Sequence, residues 1–71
     1  MAVAYNNIGE NTRKQGNLDR ALEYYKQSLS LIEKKSNKYG MAIILGNIGE
    51  TLYEKEELTN ALNYLKRSYQ L

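Results

Sequence analysis

The sequence predicts an all-α fold, two antiparallel helix-turn-helix hairpins stacked as a fragment of an α-solenoid, and three observations carry that expectation. The chain repeats itself with a period of 40 residues, in the range of stacked helical hairpins. Residues 1–31 laid without a gap over 41–71 match Asn7-Ile8-Gly9-Glu10 with Asn47-Ile48-Gly49-Glu50, and Leu18, Ala21, Leu22, Tyr24 and Ser28 with Leu58, Ala61, Leu62, Tyr64 and Ser68. Apolar residues recur at three-and-four spacing within each copy, the mark of one-sided helices. Proline is absent, so helix ends fall to glycine, asparagine and their neighbours.

The first helix is expected near residues 2–15, with Ala4, Tyr5, Ile8 and Thr12 along one face. Gly16 is suited to end it in a left-handed conformation, and Asn17 to cap the next helix through its side-chain oxygen. That second helix is expected near 18–35, carrying Leu18, Ala21, Leu22, Tyr25, Leu29 and Ile32 on its apolar face. Asp19 sits in its first turn and Lys34-Lys35 at its end, both favourable to the helix dipole. Ser36-Asn37-Lys38-Tyr39-Gly40 reads as the break between copies.

In the second copy Ile44, Leu45, Ile48 and Leu52 repeat the first stripe, and Leu58, Ala61, Leu62, Leu65 and Tyr69 the second. Gly9, Ala21, Gly49 and Ala61 lie on or beside these stripes, where a missing side chain lets two helices approach. Tyr5, Tyr25 and Tyr69 are expected in the core. Tyr24 and Tyr64 recur beside it, placed to pack on the next hairpin with the hydroxyl in water. Where the first copy has Gln15-Gly16-Asn17, the second has Lys55-Glu56-Glu57, with no left-handed residue and no good cap. The alternative is therefore a last hairpin opened into one long helix and exchanged between chains.

Seventy-one residues make one small domain at most, near the size at which buried surface barely offsets chain entropy. With no cysteine and no histidine, neither a disulfide nor a structural zinc site is expected. No apolar stretch reaches the ~20 residues that span a bilayer, so no membrane role is expected, and the cytoplasm is the default compartment. The net charge of +2 is mild. The basic pairs Arg13-Lys14, Lys34-Lys35 and Lys66-Arg67 are interleaved with Glu10, Glu23, Glu33 and Glu54, so no single-sign stripe for nucleic acid forms.

On these residues the chain resembles the tetratricopeptide repeat family, in its lengthened variant of roughly 40 residues. The motif reads Tyr5, Ile8-Gly9, Gly16-Asn17, Ala21, Tyr25 and Ser28, then Leu45, Ile48-Gly49, Glu56-Glu57, Ala61, Leu65 and Ser68. The second copy departs from it at Glu56-Glu57. The resemblance implies repeat packing through Tyr5, Ile8, Gly9, Leu18, Ala21, Leu22, Tyr25, Leu45, Ile48, Gly49, Leu58, Ala61, Leu62 and Leu65. It also implies one domain over 1–71, with repeat one near 1–40 and repeat two near 41–71, shortened at its C-terminal end. About three repeats are generally needed for independent stability, so self-association end to end, or a place in a longer array, is expected.

Catalysis is poorly supplied. A nucleophile with its base would have to come from Ser, Thr, Lys, Tyr or carboxylates, and no spacing assembles them. No cofactor or metal is expected, because calcium-type loop spacing is missing too. The resemblance implies instead a concave groove lined by the first helix of each copy and holding a protein or peptide segment. Its residues would be Asn7, Glu10, Arg13, Lys14, Asn47, Glu50, Tyr53 and Glu54. Asn7 and Asn47 match the asparagine that grips a bound backbone, since a carboxamide both donates and accepts; a hydrogen bond to a neighbouring helix is the competing role. With Glu10, Glu50 and Glu54 present, a basic or neutral segment suits the groove better than an acidic one. The competing function is structural: self-association through the repeat ends.

Overall fold

The computed structural model describes the backbone of residues 2–70 and the side chains of 3–70; the outermost positions of the two repeats, Met1 and Leu71, lie outside it. Four helices follow one another: α1 (Ala2–Lys14), α2 (Leu18–Glu33), α3 (Lys38–Glu54) and α4 (Leu58–Gln70). The packing is sequential. α1 lies on α2, α2 on α3 and α3 on α4, while α1 and α3 touch only lightly. This is the hairpin stack expected from the repeat, and the last hairpin is closed within the chain rather than opened into a long helix.

The core is Ala21, Leu22, Tyr25, Leu29, Ile44, Leu45, Ile48, Leu52 and Ala61, with Ile32, Met41 and Tyr64 packed against it. All of these core side chains come from α2, α3 and α4, while α1 contributes the buried Gly9. Burying one Leu, Ile or Tyr-sized side chain contributes roughly 1.5–3 kcal/mol, so the stack holds together mainly through the two inner helices. Within each hairpin the helices approach where a side chain is missing. A Cβ built on Gly9 would come 2.7 Å from the Tyr25 ring, and one on Gly49 2.8 Å from Leu65.

Both hairpin turns have the same backbone form. Gly16 takes φ 85° and Glu56 takes φ 67°. After each, an amide reaches back to the last helical turn: Asn17 N–H to the Thr12 carbonyl at 3.1 Å and Glu57 N–H to that of Leu52 at 2.9 Å. The repeat contacts on either side hold Glu56 in a conformation that costs a non-glycine residue roughly 1–2 kcal/mol. The turn therefore forms although its sequence does not favour it.

Several expectations are corrected. Asn17 occupies the N-cap of α2, but its side chain makes no capping bond; its carbonyl accepts the Ala21 N–H at 3.0 Å instead. The working cap is Asn37, whose Oδ1 accepts the Gly40 N–H at 3.0 Å. It starts α3 at Lys38, so Lys38, Tyr39 and Gly40 belong to the helix rather than to the break. α2 ends at Glu33, two residues short of the expected end at Lys35, so the cationic pair follows the helix directly.

Tyr69, expected in the core, is 90% exposed, and Ile8, Leu58 and Leu62 also face outward. These residues lie on the outer faces of α1 and α4, where no further helix of the stack covers them. Tyr24, half-buried, stacks on Tyr5 of its own hairpin, ring centroids 6.4 Å apart, and Tyr64 lies beneath the Arg67 guanidinium while packing against the core.

Two pairs of substitutions test this account. Glu56→Gly should stabilise the chain by about 0.5–1 kcal/mol and Gly16→Ala should destabilise it by a similar amount. In thermal unfolding that is a shift of roughly 4–8 °C per kcal/mol for a domain of this size. Gly9→Ala should lower Tm, because overpacking against Tyr25 costs more than the roughly 1 kcal/mol gained in helix propensity. Gly46→Ala should raise it, since its added carbon meets nothing nearer than Ser68 Oγ at 3.8 Å.

Candidate functional site

The residues expected to line a groove sit on one face of α1 and the matching face of α3. On a helix, positions three, four and seven apart share a side, which groups Val3, Asn6, Asn7, Glu10, Arg13 and Lys14 on α1. Ile43, Gly46, Asn47, Glu50, Tyr53 and Glu54 form the counterpart on α3. The two faces are joined at two points. Asn47 Nδ2 donates to Asn6 Oδ1 at 2.9 Å, and Arg13 pairs with Glu54 at 2.7 Å. Each bond spans 41 residues, one repeat period plus one position.

Asn7 and Asn47 are therefore not equivalent in their surroundings. Asn47 is half-buried and tied to α1, whereas Asn7 is exposed. The asparagine that meets Asn47 is Asn6, whose role the sequence reading passed over because its match one period on is Gly46. Searching for polar residues one period plus one apart would have found both the Asn6–Asn47 and the Arg13–Glu54 pairs. The Asn6–Asn47 bond uses one donor and one acceptor, and a carboxamide pair offers further donors and acceptors to a backbone.

Beside this pair lies an apolar cavity of about 110 Å³. Val3 and Asn6 of α1, Ser28 and Ile32 of α2, and Gly40, Ile43 and Ile44 of α3 line it. A cavity of roughly 150 Å³ admits benzene, so this space suits a smaller aliphatic group.

The charges at the other end are largely balanced. Glu54, hydrogen-bonded to Arg13, raises the guanidinium's pKa, so neither charge stands alone. Outside the groove, at the hairpin turn, Lys55 bridges Asp19 of α2 and Glu57. Asp19, then Glu57, hold its ammonium above its ordinary pKa, and Lys55, helped by Asn60, holds the Glu57 carboxyl below its own. Glu10, Lys14, Glu50 and Tyr53 complete the face; Glu10 is half-buried and the other three are exposed.

Under the groove, the Tyr25 hydroxyl and Arg13 Nε are both buried without a hydrogen bond of good geometry. Burial raises the Tyr25 pKa, and the nearby Arg13 guanidinium partly opposes it. Thr51, fully buried, is satisfied by donating to the Asn47 carbonyl at 2.8 Å. What this arrangement offers is a polar bridge beside an apolar socket. Among the described residues no helix is long and apolar enough to cross a membrane.

Compared with known proteins, the chain matches a family model described as tetratricopeptide repeat over residues 1–71. No curated protein and no solved structure matches it.

The Tyr25 environment has a pH consequence. A phenol whose pKa is raised on folding holds its proton more tightly in the native state, so its contribution is complete below the ordinary value near 10 and is lost as pH climbs through the folded value. Denaturation midpoints should therefore fall at alkaline pH. Tyr25→Phe should remove that part of the fall and leave the part due to Lys55.

Proposed function

Because the chain belongs to the tetratricopeptide repeat family, we propose that it is a non-enzymatic interaction module that receives a partner segment along the face shared by α1 and α3. Tetratricopeptide repeats generally mediate protein–protein interaction. The observation that carries the finer reading is the Asn6–Asn47 bridge lying beside the apolar cavity. A carboxamide at that position pairs with an extended backbone whatever its side chains are, and the cavity takes one aliphatic side chain of the same segment.

The charge of the face sets the partner's chemistry. With Arg13 and Glu54 neutralising each other, Glu10 and Glu50 outweigh Lys14. A neutral or basic segment fits, and an acidic one is repelled. Asn7 and Tyr53, both exposed, extend the contact on either side of the bridge.

A second reading is favoured by Leu58, Leu62 and Tyr69, which stand exposed on α4: a structural module that self-associates through the ends of the repeat stack.

The first reading is tested by selecting binders from a displayed library of random linear peptides and mapping them by amide chemical-shift changes. Selected peptides should carry an aliphatic residue flanked by neutral or basic ones and should shift resonances of Asn6, Asn47 and Ile43. Asn7→Ala with Asn47→Ala should weaken them by about 1–2 kcal/mol with helicity intact. Shifts confined to α4, or a library that yields no binder, would count against the groove.

A further inference from the structure

Between the hairpins α2 packs on α3, with α1 bonded lightly to α3 beside it, and both sides of the α2–α3 contact recur unoccupied one period away. On α2 the stripe is Leu22, Tyr25 and Leu29, all buried. The same positions in α4 are Leu62, Leu65 and Tyr69, of which Leu62 and Tyr69 are exposed and Leu65 is half-buried. On α3 the opposing stripe is Ile44, Ile48 and Thr51, again all buried. Its counterpart on α1 is Ala4, Ile8 and Asn11, all exposed. The chain thus carries an unfilled α2-like face at one end and an unfilled α3-like face at the other.

We propose that a second copy of this chain docks head to tail, its α1 on the α4 of the first, by the geometry that α3 uses on α2. This rests on the self-association reading above and gives it a polarity and a contact set. The polar pairs of the internal interface support that choice of occupant. Shifted by one period, Arg13–Glu54 becomes Tyr53 against the next copy's Lys14, an ammonium beside an exposed aromatic ring. Asp19–Lys55 becomes Thr59 against the next copy's Gln15, two neutral hydrogen-bonding groups. Asn6–Asn47 becomes Gly46 against the next copy's Asn7. At none of these three positions do like charges meet.

The internal interface also predicts that docking is weaker than the contact it copies. Ala4 and Asn11 replace Ile44 and Thr51, so the incoming α1 brings less apolar surface, and no ion pair replaces Arg13–Glu54. Because the two faces are different, the contact is heterologous and generates short open chains, not a closed symmetric dimer. Each added copy contacts only its neighbour, so chain length grows with concentration. Stacking in this sense also lengthens the shared face of the first helices.

The experiment is sedimentation velocity from ~1 μM to ~1 mM, on the 71-residue chain and on two variants that each block one face. Leu62→Glu places a charge on the α4 face and Ile8→Glu on the α1 face; both sites are exposed in the single chain. Circular dichroism checks the fold, and Asn11→Glu on the same α1 stripe replaces Ile8→Glu should helicity drop.

The parent chain should form a concentration-dependent series of species. Each variant alone should show self-association at least about tenfold weaker. Mixed at equal concentration, the two should form a 1:1 complex and nothing larger, since one intact α4 face meets one intact α1 face. A parent chain that is monomeric throughout would overturn self-association altogether. A parent that associates while Ile8→Glu still dimerises alone would keep self-association and overturn the head-to-tail polarity, pointing to α4 packing on α4.

Discussion

Tyr25 sits where three helices meet, and the stack depends on its being there. Its ring occupies the space that Gly9 leaves on α1, its hydroxyl end lies near Arg13, and Thr51 of α3 is within its reach. No part of it is exposed. Gly9 gives up helix propensity at a mid-helix position, and the return is that α1 and α2 approach closely enough to seal that ring. In the second hairpin Gly49 and Leu65 meet in the same way, but Leu65 remains half-buried because α4 has a helix on one side only. The difference between the hairpins is the difference between a filled and an unfilled side, not between two kinds of packing.

Much of the fold was legible because the sequence states it twice. Periodicity located four helices, and the repeated small residues located the close approaches. What escaped was decided by tertiary contact. Glu56 adopts the left-handed turn that Gly16 adopts because hairpin closure, with its buried Leu52 and Ala61, outweighs a local cost of one residue. Asn17 and Asn37 are the same residue type before a helix, yet only Asn37 caps. At Asn17 the neighbouring Gly16 turn already ties the chain to α1, whereas the Asn37 side chain turns onto the Gly40 amide. Tyr69, Leu62 and Leu58 read as core by spacing, but spacing identifies a face and says nothing of whether another helix lies against it.

The candidate site was legible as a face and not as a set of pairs. All eight of its expected residues lie on the matched faces of α1 and α3, yet the bonds that organise those faces run diagonally, from position n to n plus 41. Two helices of neighbouring repeats are slightly offset, so a residue meets not its own copy but the one beside it. Asn6 was invisible to a search for repeated residues because its equivalent is Gly46, and Arg13 and Glu54 appeared as separate contributors when each is the other's partner. A repeat alignment lists equivalent positions; the contacts between repeats are made by inequivalent ones.

That offset gives the two ends of the stack their different characters. The internal seam is held by a carboxamide pair at one end and an ion pair at the other, and these polar bonds specify register more than they add energy, since an exposed pair is worth only about 0.2–1 kcal/mol. Moving one period along, the residues that would make the same seam are Gly46 and Tyr53 on one side and Asn7 and Lys14 on the other. The apolar stripe persists on α4 while the register-setting bonds do not. An apolar stripe without such bonds leaves register to side-chain packing alone. The face shared by α1 and α3 is anchored by bonds inside the internal seam, Asn6–Asn47 and Arg13–Glu54, so its register is set within the chain.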